Sequence, residues 1–343
     1  MRTAAMILLL ALSFHAHAQT LFDDEKKIAA WLQENKVPAV GIGIIRDGKL
    51  KQVKVYGELQ KGVAAPYDTI FNVASLTKPV VVILTLKLVS EGKWKLDEPL
   101  ATYWVDPDIA GDPRHATLTT RHVLSHQTGF LNWRWLDESK KLIFHADPGT
   151  KFGYSGEGFE YLRKALEQKF GKPLAELSEQ YVFGPAGMRD TQHAWSERTD
   201  ESRFARWHDK EGKHAYPDHR TDANAADDLL TTVEDYGRFG AYVLGGAGLS
   251  EAVFNDMVKV QSTMRPKVFM GLGWEIHKDF PNGEYALIHS GSDQGVNAVL
   301  ILLPKSKQGL LVITNSDAGF MLYEKLVVES LDLGKELMAR AKS

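Results

Sequence analysis

The sequence predicts an α+β fold: one antiparallel sheet built from both ends of the chain, flanked by helices, with a mainly helical subdomain inserted between. Three observations predict it. Val40 to Ile45 and Leu50 to Tyr56 flank Arg46-Asp47-Gly48-Lys49, and Asp-Gly between two such runs signals a β-hairpin. Near the other end, Tyr285 to His289, Val296 to Leu303 and Gly309 to Thr314 read as three further strands. The long stretch between the two groups carries mainly helical patterns. Sheet residues are therefore expected at about 19–75 and 265–343, and the helical subdomain at about 79–264.

Taken in order, Met1 to Ala18 has the layout of a secretory signal: Arg2, an apolar segment from Met6 to Phe14, and Ala16-His17-Ala18 as a small-x-small cleavage site. The expected mature chain begins at Gln19. Cysteine is absent, which excludes disulfides, thiol catalysis and lipid attachment through an N-terminal cysteine. A periplasmic or secreted protein without a membrane anchor is expected. The net charge of −3 and the lack of a basic run argue against a nucleic-acid partner. Nothing in the sequence assigns an oligomeric state. Leu21 to Lys36 is helical in periodicity, and the hairpin follows it. At the far end, an amphipathic helix is expected from about Phe320 to Arg340.

The stretch Phe71-Asn72-Val73-Ala74-Ser75-Leu76-Thr77-Lys78 precedes an apolar run, Pro79 to Val89, bounded by Glu91-Gly92. That run predicts a buried helix of about four turns starting near Ser75. Pro79 is tolerated in a first turn, where its missing N–H costs nothing. Residues three apart share a helix face, so Ser75 and Lys78 become neighbours. A serine hydroxyl is a poor nucleophile until a base takes its proton, and a desolvated lysine can be that base. An N-cap role is the plain alternative for Ser75, but a capping box wants Glu or Gln where Lys78 stands.

Two further candidates stand far along the chain. Pro148 to Gly156 is a turn-rich loop leading into a helix near Phe159 to Phe170. A tyrosine held over the serine–lysine pair could pass the proton to a leaving group, and Tyr154 is placed for that. His289-Ser290-Gly291-Ser292 ends a strand. Gly291 permits close approach of backbone, and the Ser292 N–H could complete an oxyanion hole. A charge on His289 is expected to be lost as pH rises above ~6.5. No metal or cofactor is expected. His122 and His126 sit four apart without the intervening glutamate of a zinc helix, and Gly171-Lys172-Pro173 lacks the hydroxyl residue of a phosphate loop. His208, His214 and His219 read as a solvated loop. Trp133-Arg134-Trp135 could line a cleft, but buried aromatics are the commoner case.

As an ordered set, Ser75-x-x-Lys78, Tyr154-Ser155 and His289-Ser290-Gly291 resemble the penicillin-recognising serine hydrolases. These comprise class C β-lactamases, D-alanyl-D-alanine carboxypeptidases, D-amino-acid amidases and related esterases. Leu124 to Gly129, Phe183 to Met188, Gly271 to Trp274 and Asn315-Ser316 also look like this family. The resemblance implies a β-lactamase/penicillin-binding-like fold with Ser75 as acylated nucleophile, Lys78 as base partner and Tyr154 as proton relay. It implies an oxyanion hole from the N–H groups of Ser75 and Ser292, and a small-molecule or peptide substrate. The activity implied is hydrolysis of amide or peptide bonds, in D-amino-acid-containing peptides. An esterase or weak β-lactamase is the alternative of the same chemistry, and a silent peptide- or wall-fragment-binding protein that of another class. Gly156 departs from the family's Tyr-x-Asn, and His289 from the Lys-Thr-Gly of class C β-lactamases.

Overall fold

The computed structural model describes residues 24–216 and 219–342, so the signal-like segment Met1 to Ala18 lies outside the described residues. The strands in chain order are β1 (Ala39–Arg46), β2 (Lys49–Gln60), β3 (Val63–Ala64), β4 (Phe71–Asn72), β5 (Leu230–Thr231) and β6 (Ser262–Arg265). They continue with β7 (Val268–Met270), β8 (Glu275–His277), β9 (Ala286–Asp293), β10 (Val296–Leu303) and β11 (Gln308–Thr314). Nine of them form one sheet in the order β3-β2-β1-β11-β10-β9-β8-β7-β6, and β4 pairs β5 separately. The two chain ends meet where β1 pairs antiparallel with β11, Val40 opposite Thr314. The hairpin turn lies at Asp47-Gly48, both with positive φ.

Alternation along β10 shows why the sheet is covered on both faces. Ala298, Leu300 and Leu302 join a core containing the Val80–Leu88 run, Val233 and Phe239. Val299, Ile301 and Leu303 join a second core with Ile28, Leu326 and Val327 from the terminal helices. A strand buried on both faces reads as a continuous apolar run.

The Thr77–Ser90 helix, 14 residues long, is buried over most of its circumference, with Pro79 in its first turn. It is apolar all round, as a core helix must be. A 3-10 turn, Ala74–Leu76, precedes it, so Ser75 sits two residues before the helix begins. The Val233–Leu244 helix, in the region the sequence groups with the helical insertion, packs on β1, β2 and β11.

Three expectations change. The single C-terminal helix is two, Tyr323–Ser330 and Gly334–Ala341, because Leu331 turns extended and stays buried in the core that also takes Leu337. Strands β6 to β8 complete the sheet, although three or four residues are too few to show an alternating pattern. His208 is buried, its imidazole against the Asn315 carbonyl, where the sequence suggests a solvated loop. Among the described residues no helix is long and apolar enough to cross a membrane.

Candidate active site

From Phe71 to Leu86, Ser75 alone is not buried. Its exposure follows from the turn that carries it. Ala74 holds φ +47°, the left-handed region that a β-carbon disfavours. The strain is held by neighbours: Ala74 N–H donates to Asn72 Oδ1 at 2.7 Å, and Thr77 Oγ1 donates to the Ala74 carbonyl at 2.8 Å. One helical turn on, Lys78 reaches back. Its Nζ lies 2.9 Å from Ser75 Oγ and donates to the Ala226 carbonyl at 2.7 Å. Lys78 is 1% exposed, with the Tyr154 ring centroid 4.7 Å from its Nζ and the Phe159 ring at 5.7 Å. An amine within hydrogen-bond reach of a hydroxyl, both fixed by packing, can take the hydroxyl's proton.

Tyr154 is half-buried and stacks on His126, ring centroids 4.3 Å apart, with His289 6.5 Å away on another side. Its partner His126 accepts from the Ser155 N–H through Nδ1 at 3.1 Å, while its buried Nε2 has no partner among the described residues. Burial first, then the Lys78 charge, hold the His126 imidazole well below its ordinary value.

His289 corrects an expectation. Burial, with the Lys78 charge adding, pushes its imidazole down to about 3. Its Nδ1 donates to the Ser290 carbonyl at 2.9 Å, the only role a carbonyl allows. His289 is therefore neutral at pH 6 and at pH 8, and no charge is lost in that range.

The side of the cleft opposite Lys78 depends on a sheet edge. β8 pairs β9 only across Ala286 to Ile288, so from His289 onward that edge of β9 is free of β8. This free stretch docks on the Ser75 turn. A β-carbon at Gly291 would lie 2.1 Å from the Val73 carbonyl oxygen and 3.1 Å from the Ser75 nitrogen. Only glycine allows the two backbones so close. Ser75, Tyr154, His289, Ser290 and Ser292 line one cleft of about 260 Å³. Its remaining wall is Glu275 with the apolar side chains of Met264, Met270 and Ile288. A larger groove of about 530 Å³ between the hairpin and the Val233–Leu244 helix holds none of these groups.

Residues 25–329 match the family described as Beta-lactamase. The chain belongs to the β-lactamase family. It is 29% identical over 172 residues to the D-alanyl-D-alanine-carboxypeptidase/endopeptidase AmpH of Escherichia coli K12, covering 44% of each chain. It is 29% identical over 211 residues to Esterase EstB of Burkholderia gladioli, covering 52% of each. The chain thus spans about half the length of these relatives. Among solved structures, D-alanine carboxypeptidase AmpC from Burkholderia cenocepacia matches with a TM-score of 0.72 at 20% identity, covering 88% of this chain and 98% of that one. At that identity the likeness is one of fold.

This β-lactamase-family chain fills the Gly156 position in its own way. A β-carbon at Gly156 would lie 2.7 Å from the indole of Trp133, so an asparagine cannot stand there while Trp133 does. Trp133 is half-buried and stacks on Trp135, centroids 4.7 Å apart, and Trp135 is 54% exposed. Trp133 thus packs partly buried against the core and Trp135 is exposed, where buried aromatics are expected. Arg134 between them is bound to Asp106, Asp108 and Glu157, which fixes the turn.

Sequence reasoning missed the segment that holds Lys78 from behind. Beside Ala226 stand Asp227 and Asp228, whose carboxylates, with that of Asp293 at the end of β9, gather within 4.8 Å. Arg220 bridges Asp228 at 2.9 Å and Asp293 at 3.1 Å. Burial first, then the Asp228 charge, push the Asp227 carboxyl up, against the pull of Lys78. The Asp-Asp pair was visible as a signal, but its place beside Lys78 follows from a contact 148 residues apart.

Proposed function

We propose that this chain is a secreted or periplasmic serine hydrolase that works through an acyl-Ser75 intermediate. The observation that carries this is the 2.9 Å contact between Lys78 Nζ and Ser75 Oγ at the mouth of a buried helix. Ser75 Oγ attacks the substrate carbonyl as its proton passes to Lys78, which acts from its deprotonated amine form. The N–H groups of Ser75 and Ser292 receive the developing oxyanion. Tyr154 and Lys78 return the proton to the leaving group, whose bond to carbon breaks. Water then repeats the attack on the ester and frees Ser75.

The bond cleaved is an amide or peptide bond, in substrates with D-residues. The names of the relatives support this, AmpH as a carboxypeptidase/endopeptidase and a D-stereospecific amidohydrolase from Streptomyces of the same fold. An esterase is the second reading. Neutral His289 and the missing amide at Gly156 favour it, since a small ester needs neither a cation nor an amide partner. Intact-mass analysis after exposure to a fluorophosphonate, a penicillin and D-amino-acid amides and esters tests the proposal. A single adduct on wild type, absent from Ser75→Ala, is expected. Normal turnover by a folded Ser75→Ala protein would sink it and leave only a binding role for the cleft.

A further inference from the structure

Among the described residues Glu275 is the only carboxylate lining the Ser75 cleft, and no lysine or arginine lines it. The nearby cation is turned away: Lys78 gives its hydrogen bonds to Ser75 and to the Ala226 carbonyl. The imidazole of His289 donates to a backbone carbonyl. Glu275 is also held in place. It pairs across the sheet with Ile288 in β9, so the two side chains share one face. One oxygen, Oε1, is bonded by Nε2 of the buried His277 at 2.5 Å. Among the described residues the other oxygen has no bonded partner. Met264, Met270 and Ile288 make the wall around it apolar. The cleft thus offers one held carboxylate beside an apolar wall, with Oε1 engaged by His277 and the other oxygen open.

We propose that Glu275 is a specificity-determining residue that selects acyl groups bearing a free ammonium, such as an aminoacyl group with an unblocked N-terminus. This rests on the reading of Ser75 as the nucleophile. An ammonium next to Glu275 makes a charge-assisted hydrogen bond in a partly dry cleft. A carboxylate on the acyl part meets only a like charge there. The cleft of about 260 Å³ is below the usual range of drug-sized pockets, which suits one small residue.

The test compares D-alanine p-nitroanilide with its N-acetyl derivative, which share a leaving group and differ in charge. Wild type is expected to favour the free amine by about tenfold or more in kcat/KM, the scale of one charge-assisted hydrogen bond. In Glu275→Gln that ratio should fall toward one. Equal or greater preference for the acetylated compound, or an unchanged ratio in the variant, overturns the proposal. Binding of D-alaninamide and N-acetyl-D-alaninamide to Ser75→Ala, followed by NMR titration, separates the two readings. A tenfold binding preference with no turnover of either anilide overturns the hydrolase reading and leaves the amine site standing. Turnover without preference overturns the amine site alone.

Discussion

Lys78 meets Ser75 through three neighbours that leave it little freedom: the Ala226 carbonyl, the Tyr154 ring and the Phe159 ring. Each proton-transfer group so positioned is worth about 10²-fold or more. We predict that Lys78→Ala and Tyr154→Phe each slow acylation by at least ~10²-fold, read as the rate of adduct formation by intact mass. Wild-type rates in both would reassign the roles. His289 and Gly156 bear on substrate choice. Without a cation or an amide for a lactam's carboxylate and side chain, nitrocefin should be a poorer substrate than a p-nitrophenyl ester or a D-alanyl anilide. Because His289 lies at about 3, the nitrocefin-to-ester ratio of kcat/KM should be the same at pH 6 and pH 8. A ratio that drops severalfold with rising pH would return a titrating charge to this position.

Two elements meet at Ser75, the 3-10 turn that opens the Thr77–Ser90 helix and the free end of β9. Neither forms a site alone. Their contact is backbone on backbone at Gly291, where a methyl group would stand 2.1 Å from the Val73 oxygen. Relief requires β9 to move away from Ser75, and a displacement of about 1 Å at a reacting centre can cost 10²-fold. We predict that Gly291→Ala lowers kcat/KM by about 10²-fold while costing about 1–3 kcal/mol of stability, the range for overpacking. Urea unfolding beside steady-state kinetics checks this. Full activity in the variant would show that β9 does not depend on that approach.

At the scale of the molecule, buried titratable groups set opposite pH responses. His193 is fully buried, and burial pushes it down to about 4. Below pH ~6.5 the unfolded chain takes up this proton and the native one does not, so His193 costs stability as pH falls through that window. Asp227 is shifted upward, so its protonated native form costs nothing at low pH. The penalty arrives as pH rises through its folded value. We predict that, relative to wild type, His193→Gln gains stability between pH 7 and pH 5, and Asp227→Asn gains it between pH 5 and pH 8. Urea midpoints across pH check both, and parallel curves for variant and wild type would contradict the assignment. Export belongs to this scale too. We predict that the protein recovered from a periplasmic extract begins at Gln19, checked by N-terminal sequencing. A chain still carrying Met6 to Phe14 would make that segment an anchor.

By itself the sequence determined what is local. The Ser75–Lys78 spacing, the apolar run behind it, the Asp47-Gly48 turn and the strands flanking both are periodicities and turn preferences that act over a few residues. The ordered set Ser75, Lys78, Tyr154 and His289 pointed to the family because each piece keeps its own local setting. Tertiary structure decided the rest. Ala226 and Asp227 reach Lys78, Trp133 occupies the space over Gly156, and Glu275 enters the cleft, all by contacts between segments far apart in the chain. The charge of His289 is the sharpest case. A histidine's protonation depends on the water and the charges around it, and here both are set by the fold: burial first, then the nearby Lys78.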